Sequence, residues 1–255
     1  MKEMLSKALV KVLIDNRSYL KGLKTSWGLS IYIEAYKGEE VCKIIFDVGA
    51  NIEALKFNAQ KLDINLKGVS KIVISHWHYD HASALEEYLK EAGGEVTVYA
   101  PIIPEPRRYY EGLMSKYKCK IVECKEPTEV FSGVLVTGGI SMISGFEQAL
   151  LLEVEGLKPI IIVGCTHPGI SIVLDKVKRI TNSKEIHAII GGLHIISEEE
   201  GLEAGKILAN TGVEKVIACH CTSTAALRGL RRILGDKLVI GGVGYTEEFK
   251  KVKSA

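Results

Sequence analysis

Glutamine is nearly missing from this chain: Gln60 and Gln148 are the only two, whereas lysine, glutamate and isoleucine abound. Few thermolabile amides beside many charged residues point to a thermophile protein. There is no basic tract, no acidic tail and no low-complexity stretch, and the net charge is only +2. That balance gives no reason to expect a nucleic-acid partner. No apolar run approaches membrane-spanning length, and the start Met1-Lys2-Glu3-Met4 lacks the apolar core of a signal peptide. The reading is a cytoplasmic protein that meets neither membrane nor nucleic acid and acts on a small molecule. Nothing excludes a homodimer. No Cys-x-x-Cys pair occurs, and the six cysteines (Cys42, Cys119, Cys124, Cys165, Cys219, Cys221) are scattered, so reduced thiols are expected rather than a disulfide framework. At 255 residues, 47% hydrophobic and 25% charged, the chain has the make-up of a globular enzyme with a large core.

What is present is concentrated in Ser75-His76-Trp77-His78-Tyr79-Asp80-His81, which holds three of the seven histidines. An apolar run, Lys71 to Ile74, precedes it and reads as a buried strand. An amphipathic run from Ala82 to Glu91 follows, with Leu85, Tyr88 and Leu89 on one face. On such a strand-to-helix loop, residues two apart point the same way, so His76 and His78 can converge on one ion. Asp80 and His81 come as the chain turns and can aim at a second point nearby. Imidazole and carboxylate suit zinc, with iron or manganese as alternatives.

Along the chain, three strands are expected first: Leu9 to Asp15, with Val10, Val12 and Ile14 on one face, then Trp27 to Glu34, then Val41 to Phe46. Asp47-Val48-Gly49 ends the third, either as support for the metal loop or as an ordinary strand end. Ile52 to Leu62 has helical spacing. Val96 to Ala100 is a strand that enters a proline-interrupted loop, residues 101 to 110. There Arg107 and Arg108 can grip a phosphate or carboxylate, or can simply be solvated. Short strands fill residues 118 to 143, and a hairpin joins Gln148–Val154 to Pro159–Val163. Strands then deliver Gly164-Cys165-Thr166-His167, Gly191-Gly192-Leu193-His194 and Cys219-His220-Cys221-Thr222. Each leads into a helix: one opening at Pro168, one near residues 198 to 210, one from Ala225 to Leu234. His167 and His220 are the best candidates to join the first cluster, because each follows a buried strand and precedes a helix. Cys165 is open between a thiolate ligand and an inert buried thiol. His194 is open between ligand, substrate-binding group and general acid. His187 reads as structural.

His-x-His-x-Asp-His on a strand–helix loop resembles the metallo-β-lactamase superfamily. The resemblance implies one α/β (α+β) domain over residues 1–255, a four-layer αβ/βα sandwich. It implies two divalent ions, most simply zinc, one held by His76, His78 and a later histidine, the other by Asp80, His81 and the final histidine. Asp47 then orients the metal loop from behind. Most di-zinc members carry a bridging aspartate where this chain has Cys165, and the Gly-His-Thr-x-Gly-His segment is missing, which argues against lactamase and glyoxalase activity. Gly28-Leu29-Ser30, Phe46-Asp47-Val48-Gly49, Asn58-Ala59, Gln148-Ala149-Leu150, Gly164-Cys165-Thr166-His167-Pro168-Gly169-Ile170, Gly191-Gly192-Leu193-His194 and Cys219-His220-Cys221-Thr222 together resemble one branch. That branch is the 7,8-dihydropterin-6-methyl-4-(β-D-ribofuranosyl)-aminobenzene-5'-phosphate synthase-like proteins. Trp27 departs from the branch, which often has histidine there, and Ala82-Ser83-Ala84 replaces its usual Thr-Gly-Gly; both positions should lie near the pocket mouth.

The resemblance implies metal-dependent hydrolysis or transfer on a phosphorylated or pterin-like small molecule. Asp80 would orient a metal-bound hydroxide, and His194, Arg107, Arg108 and Trp27 would meet the substrate. Two rivals stand beside it: a non-catalytic metabolite sensor that keeps the metal site, and a redox di-iron protein.

Overall fold

The computed structural model describes residues 4–103 and 107–251. The chain opens with β1 (Lys7–Ile14), β2 (Ser30–Lys37), β3 (Glu40–Phe46), α1 (Ile52–Lys61) and β4 (Lys71–Val73). Next come α2 (Tyr79–Ala82), α3 (Leu85–Glu91), β5 (Val96–Ala100), α4 (Arg108–Lys116) and β6 (Cys119–Glu123). The second half runs β7 (Thr128–Phe131), β8 (Val134–Val136), β9 (Ile140–Met142), β10 (Gly145–Glu147), β11 (Leu150–Leu152) and β12 (Ile160–Val163). It continues through α5 (Ile170–Thr181), β13 (Ala188–Gly192), α6 (Glu198–Ala209), β14 (Lys215–Cys219), α7 (Thr224–Leu234), β15 (Leu238–Ile240) and β16 (Thr246–Lys250).

Two seven-stranded sheets form, in the orders β16-β1-β2-β3-β4-β5-β6 and β15-β14-β13-β12-β11-β8-β7. Their facing sides share one apolar core, from Val10, Val12, Ile44 and Phe46 in the first to Leu150, Ile160, Ile162 and Ile190 in the second. A second core, with Leu55, Leu85, Leu89 and Leu113, covers the outer face of the first sheet with helices; a third, with Val173, Leu208 and Leu230, does the same for the second. The result is the expected four-layer αβ/βα sandwich. In each sheet four neighbouring strands run parallel out to one edge (β3 to β6, and β12 to β15), while the pairings on the other side are antiparallel. Parallel strands buried on both faces need continuous apolar runs, which Ile160–Val163 and Ala188–Gly192 supply. Their carboxyl ends form one edge, where sites in such sheets are built.

Several local expectations change. Val10 and Val12 face the inter-sheet core, but Ile14 joins the outer one, because the register against β2 shifts between Val12 and Ile14; one extra residue turns every later side chain over. The second strand begins at Ser30 rather than Trp27, since Gly28 at φ +118 bends the chain so that Leu29 N–H donates to Asp80 O at 3.3 Å. The helix expected from Ala82 is broken into α2 and α3. There Val48 N–H donates to His81 O at 2.9 Å and Ala84 N–H to Gly49 O at 3.2 Å, so Asp47–Gly49 grips the His76–His81 loop from behind. Pro168 lies just outside α5, whose N-cap is Gly169. Residues 101 to 110 give way to α4, and the stretch 104–106 of that loop lies outside the described residues. β16 was not foreseen; it pairs antiparallel with β1 and closes the first sheet.

Candidate metal centre

Each ligand-type side chain leaves the carboxyl edge of a strand. His76 follows β4, Cys165 and His167 follow β12, His194 follows β13, and His220 follows β14. Left-handed backbone at Asp47, Thr166, His194 and His220 (φ +43 to +61) turns these loops sharply. The loops bring together the donor atoms of His76, His78 and His167, and beside them those of Asp80, His81 and His220, each trio lying within 4.8 Å. Cys165 stands between them, grouped with His76 and His81, with its Sγ 3.2 Å from His81 Nε2. His194 groups with Cys165 and His167, its ring 4.3 Å from that of His167. The cleft above is about 480 Å³ and is lined by Trp27, His78, Asp80, Cys165, His167, His194, Ile196, His220 and Cys221.

The hydrogen bonds settle which ring nitrogen each histidine offers. Asp47 is fully buried; Ser75 N–H donates to one carboxylate oxygen at 2.7 Å, and Ser75 O–H to the other at 2.6 Å. That same oxygen takes His81 Nδ1–H at 2.6 Å. Because Ser75 has spent its proton on Asp47, it must accept from His76 Nδ1–H, 2.9 Å away. Both rings therefore turn unprotonated Nε2 atoms to the cleft. Among the described residues His76 Nε2 is buried with no hydrogen-bond partner, a costly state for a polar atom and one that a metal ion would relieve. Glu147 does the same for His167: its carboxylate accepts the N–H groups of Cys165 (2.8 Å), Thr166 (2.7 Å) and His167 (2.8 Å), and the ring Nδ1–H at 2.9 Å. His220 N–H donates to Asp15 at 2.7 Å, its Nδ1 lies 3.1 Å from Asn16 Oδ1, and its Nε2 is 3.1 Å from Asp80. His78 Nε2 is taken by Ser144 Oγ at 2.8 Å, which leaves Nδ1 as its ligand atom.

Charge follows the same plan. Burial, reinforced by the neighbouring imidazoles, pulls His76 well below the usual histidine range, and does the same less strongly to His78, so both are neutral donors. Burial would also lower His81, but the Asp47 carboxylate outweighs it and pushes the ring up. Asp80 is held below the usual carboxylate range: burial opposes this, but the close His220 and His81 rings prevail. A hydrogen bond to Cys221 raises His194 against its desolvation. Neutral imidazoles, a carboxylate and a thiol facing a buried orphan nitrogen make a donor set that fits divalent metal.

Trp27 sits at the mouth, 63% exposed, with its ring 5.4 Å from His220. Arg107 and Arg108 are not among the cleft-lining residues; the Arg107 guanidinium is held by Glu123, and Arg108 begins α4. His187 lies just before β13, with Nδ1 3.2 Å from Glu214 and its ring against Phe249. Sequence reasoning missed Glu147, Asp15 and Asn16. Asp15 and Asn16 follow β1 as Asp47 follows β3, whereas Glu147 ends β10, which has no apolar run to mark it.

The family described as "Metallo-beta-lactamase superfamily" matches residues 31–220. The chain is 26% identical over 253 residues to the Methanocaldococcus jannaschii 7,8-dihydropterin-6-methyl-4-(beta-D-ribofuranosyl)-aminobenzene-5'-phosphate synthase, covering 83% of this chain and 86% of that protein. It is 25% identical to an uncharacterised protein of the same archaeon, over 92% of this chain and 98% of that one. Among solved structures, Tm1679, a metal-dependent hydrolase of the β-lactamase superfamily, superposes with a TM-score of 0.76 at 24% identity, covering 96% of this chain and all of that one.

Proposed function

This chain belongs to the metallo-β-lactamase superfamily, and on that premise we propose that it is a metal-dependent enzyme acting on a phosphorylated or pterin-like small molecule through a two-ion site. The observation that carries the reading is the orphaned Nε2 of His76 at the centre of five histidines, each with its other ring nitrogen tied down. His76, His78 and His167 would hold one ion; Asp80, His81 and His220 would hold the other, with Cys165 between. Two divalent ions supply positive charge for a phosphate or diphosphate and acidify water at neutral pH.

The protein's own part is positioning. Asp47, Glu147 and Asn16 fix ring orientations so that ligands need no reorganisation on binding. Asp80, kept ionised, can orient a nucleophile by accepting its proton in a hydrogen bond. His194, on the cleft wall with its pKa raised by its hydrogen bond to Cys221, is placed to give a proton to a leaving group. Trp27 offers a flat apolar wall to a planar ring. The pterin side of the reading rests on the archaeal synthase, whose named product joins a dihydropterin methyl carbon to an aminobenzene nitrogen. In that version the aryl amine nitrogen forms a bond to the pterin methylene carbon. The carbon–oxygen bond to diphosphate breaks with its electron pair on oxygen, and the amine releases a proton.

The test combines elemental analysis of protein purified without chelator with turnover assays on phosphodiesters and on a dihydropterin diphosphate plus the aryl amine. Two ions per chain and turnover that His78→Ala abolishes are expected. Tight binding of the pterin without turnover would overturn the enzyme reading in favour of a sensor.

A further inference from the structure

The second centre carries a second sulfur. The donor atoms of Cys165, His220 and Cys221 all lie within 4.8 Å of one another. Cys165 Sγ is also 3.2 Å from His81 Nε2, so the sulfur pair abuts the Asp80–His81–His220 group rather than standing apart from it. In extended chain, residues 220 and 221 would face opposite ways; the left-handed backbone of His220, φ +43, lets both face the cleft. Cys219, two residues before Cys221, goes instead to the inter-sheet core. Space is reserved for the Cys221 sulfur: a Cβ on Gly192 would sit 2.5 Å from it. His194 N–H points at that sulfur from 3.2 Å, a backbone donor of the kind that steadies a thiolate.

We propose that Cys165 and Cys221 act as a thiolate pair that, with His220, ligates the ion of the second centre and makes it a sulfur-rich site for zinc or another thiophilic ion over manganese or magnesium. The inference rests on the reading that the cleft holds metal, and goes beyond it in naming Cys221 as a ligand and sulfur as the source of metal choice. Soft thiolates select zinc, cobalt and iron; hard oxygen sites suit manganese and magnesium. On loading, two S–H bonds break, two sulfur–metal bonds form, and two protons pass to solvent. The thiolate charge also leaves the all-imidazole centre of His76, His78 and His167 the more electrophilic of the two.

The experiment titrates cobalt(II) into the metal-free full-length protein and follows near-ultraviolet sulfur-to-cobalt charge transfer, with circular dichroism confirming the fold. Cys221→Ser should keep roughly half the band and bind the ion ~10–100-fold more weakly. Cys119→Ser, in β6, should change nothing. An unchanged band in Cys221→Ser, or cobalt bound without any sulfur band, would overturn the inference while leaving the two-ion site standing. Failure of the wild type to bind cobalt would overturn both. A second measurement needs no variant: zinc should shield Cys221 from iodoacetamide, read by peptide mass spectrometry. Equal labelling with and without zinc counts against the proposal.

Discussion

At the scale of single residues, the ligands are less telling than what stands behind them. Glu147 is 3% exposed and accepts four hydrogen bonds, three of them from consecutive backbone N–H groups of the Cys165–His167 loop. Glu147→Ala leaves those donors buried and unpaired, and should cost about 3 kcal/mol of stability, read by urea unfolding. Glu147→Gln restores part of that stability but not the metal affinity, since an amide presents one acceptor oxygen where the carboxylate presents two. Asp47→Asn breaks the relay that sets the tautomers of His76 and His81. Zinc affinity should fall ~10–100-fold with little change in circular dichroism, measured by competition with a chromophoric chelator. That five histidines and Asp80 gather at one edge was legible because chemistry-bearing residues cluster at strand ends. Glu147 and Asn16 were not, because their role appears only when a ring from a distant strand arrives beside them.

At the scale of elements, strands were more legible than their ends. The buried runs at β4, β12, β13 and β14 are short, continuous and apolar between turn residues, and that announces them. The break between α2 and α3 has no sequence signal of its own; it comes from His81 O being claimed by Val48 N–H, and from Ala84 N–H being spent on Gly49 O across the loop. α4 was hidden by the prolines before it. α6 and α7 pack through glycine: a Cβ on Gly201 would lie 2.2 Å from Ala226 O. Gly201→Ala therefore overpacks a helix–helix contact. It should destabilise the protein by about 1–3 kcal/mol, seen as a lower urea midpoint at unchanged slope, with metal stoichiometry unaltered.

At the scale of the whole molecule, the site belongs to neither half. His76, His78, Asp80 and His81 come from the first sheet's loops, and Cys165, His167 and His220 from the second's, so a metal ion held by both sets would staple the two across their shared core. Zinc at about a hundredfold excess over its Kd should add about 2.7 kcal/mol, which corresponds to a melting-temperature rise of roughly 5–10 °C. Calorimetry should show one transition in both states; two transitions on metal removal would mean the sheets fold independently. The layer order followed from the resemblance to the superfamily, with which the alternation of strands and helices agrees, but the return of β16 to β1 was not legible, since pairing between residues so far apart leaves no local trace. That return sets Lys7 opposite Lys250, and so lays the start of the first strand beside the end of the last. The order of the sequence is thus separable from the architecture: a circular permutant joined there and reopened at exposed Gly94, ahead of β5 and at the edge away from the ligands, should fold with its chemistry untouched.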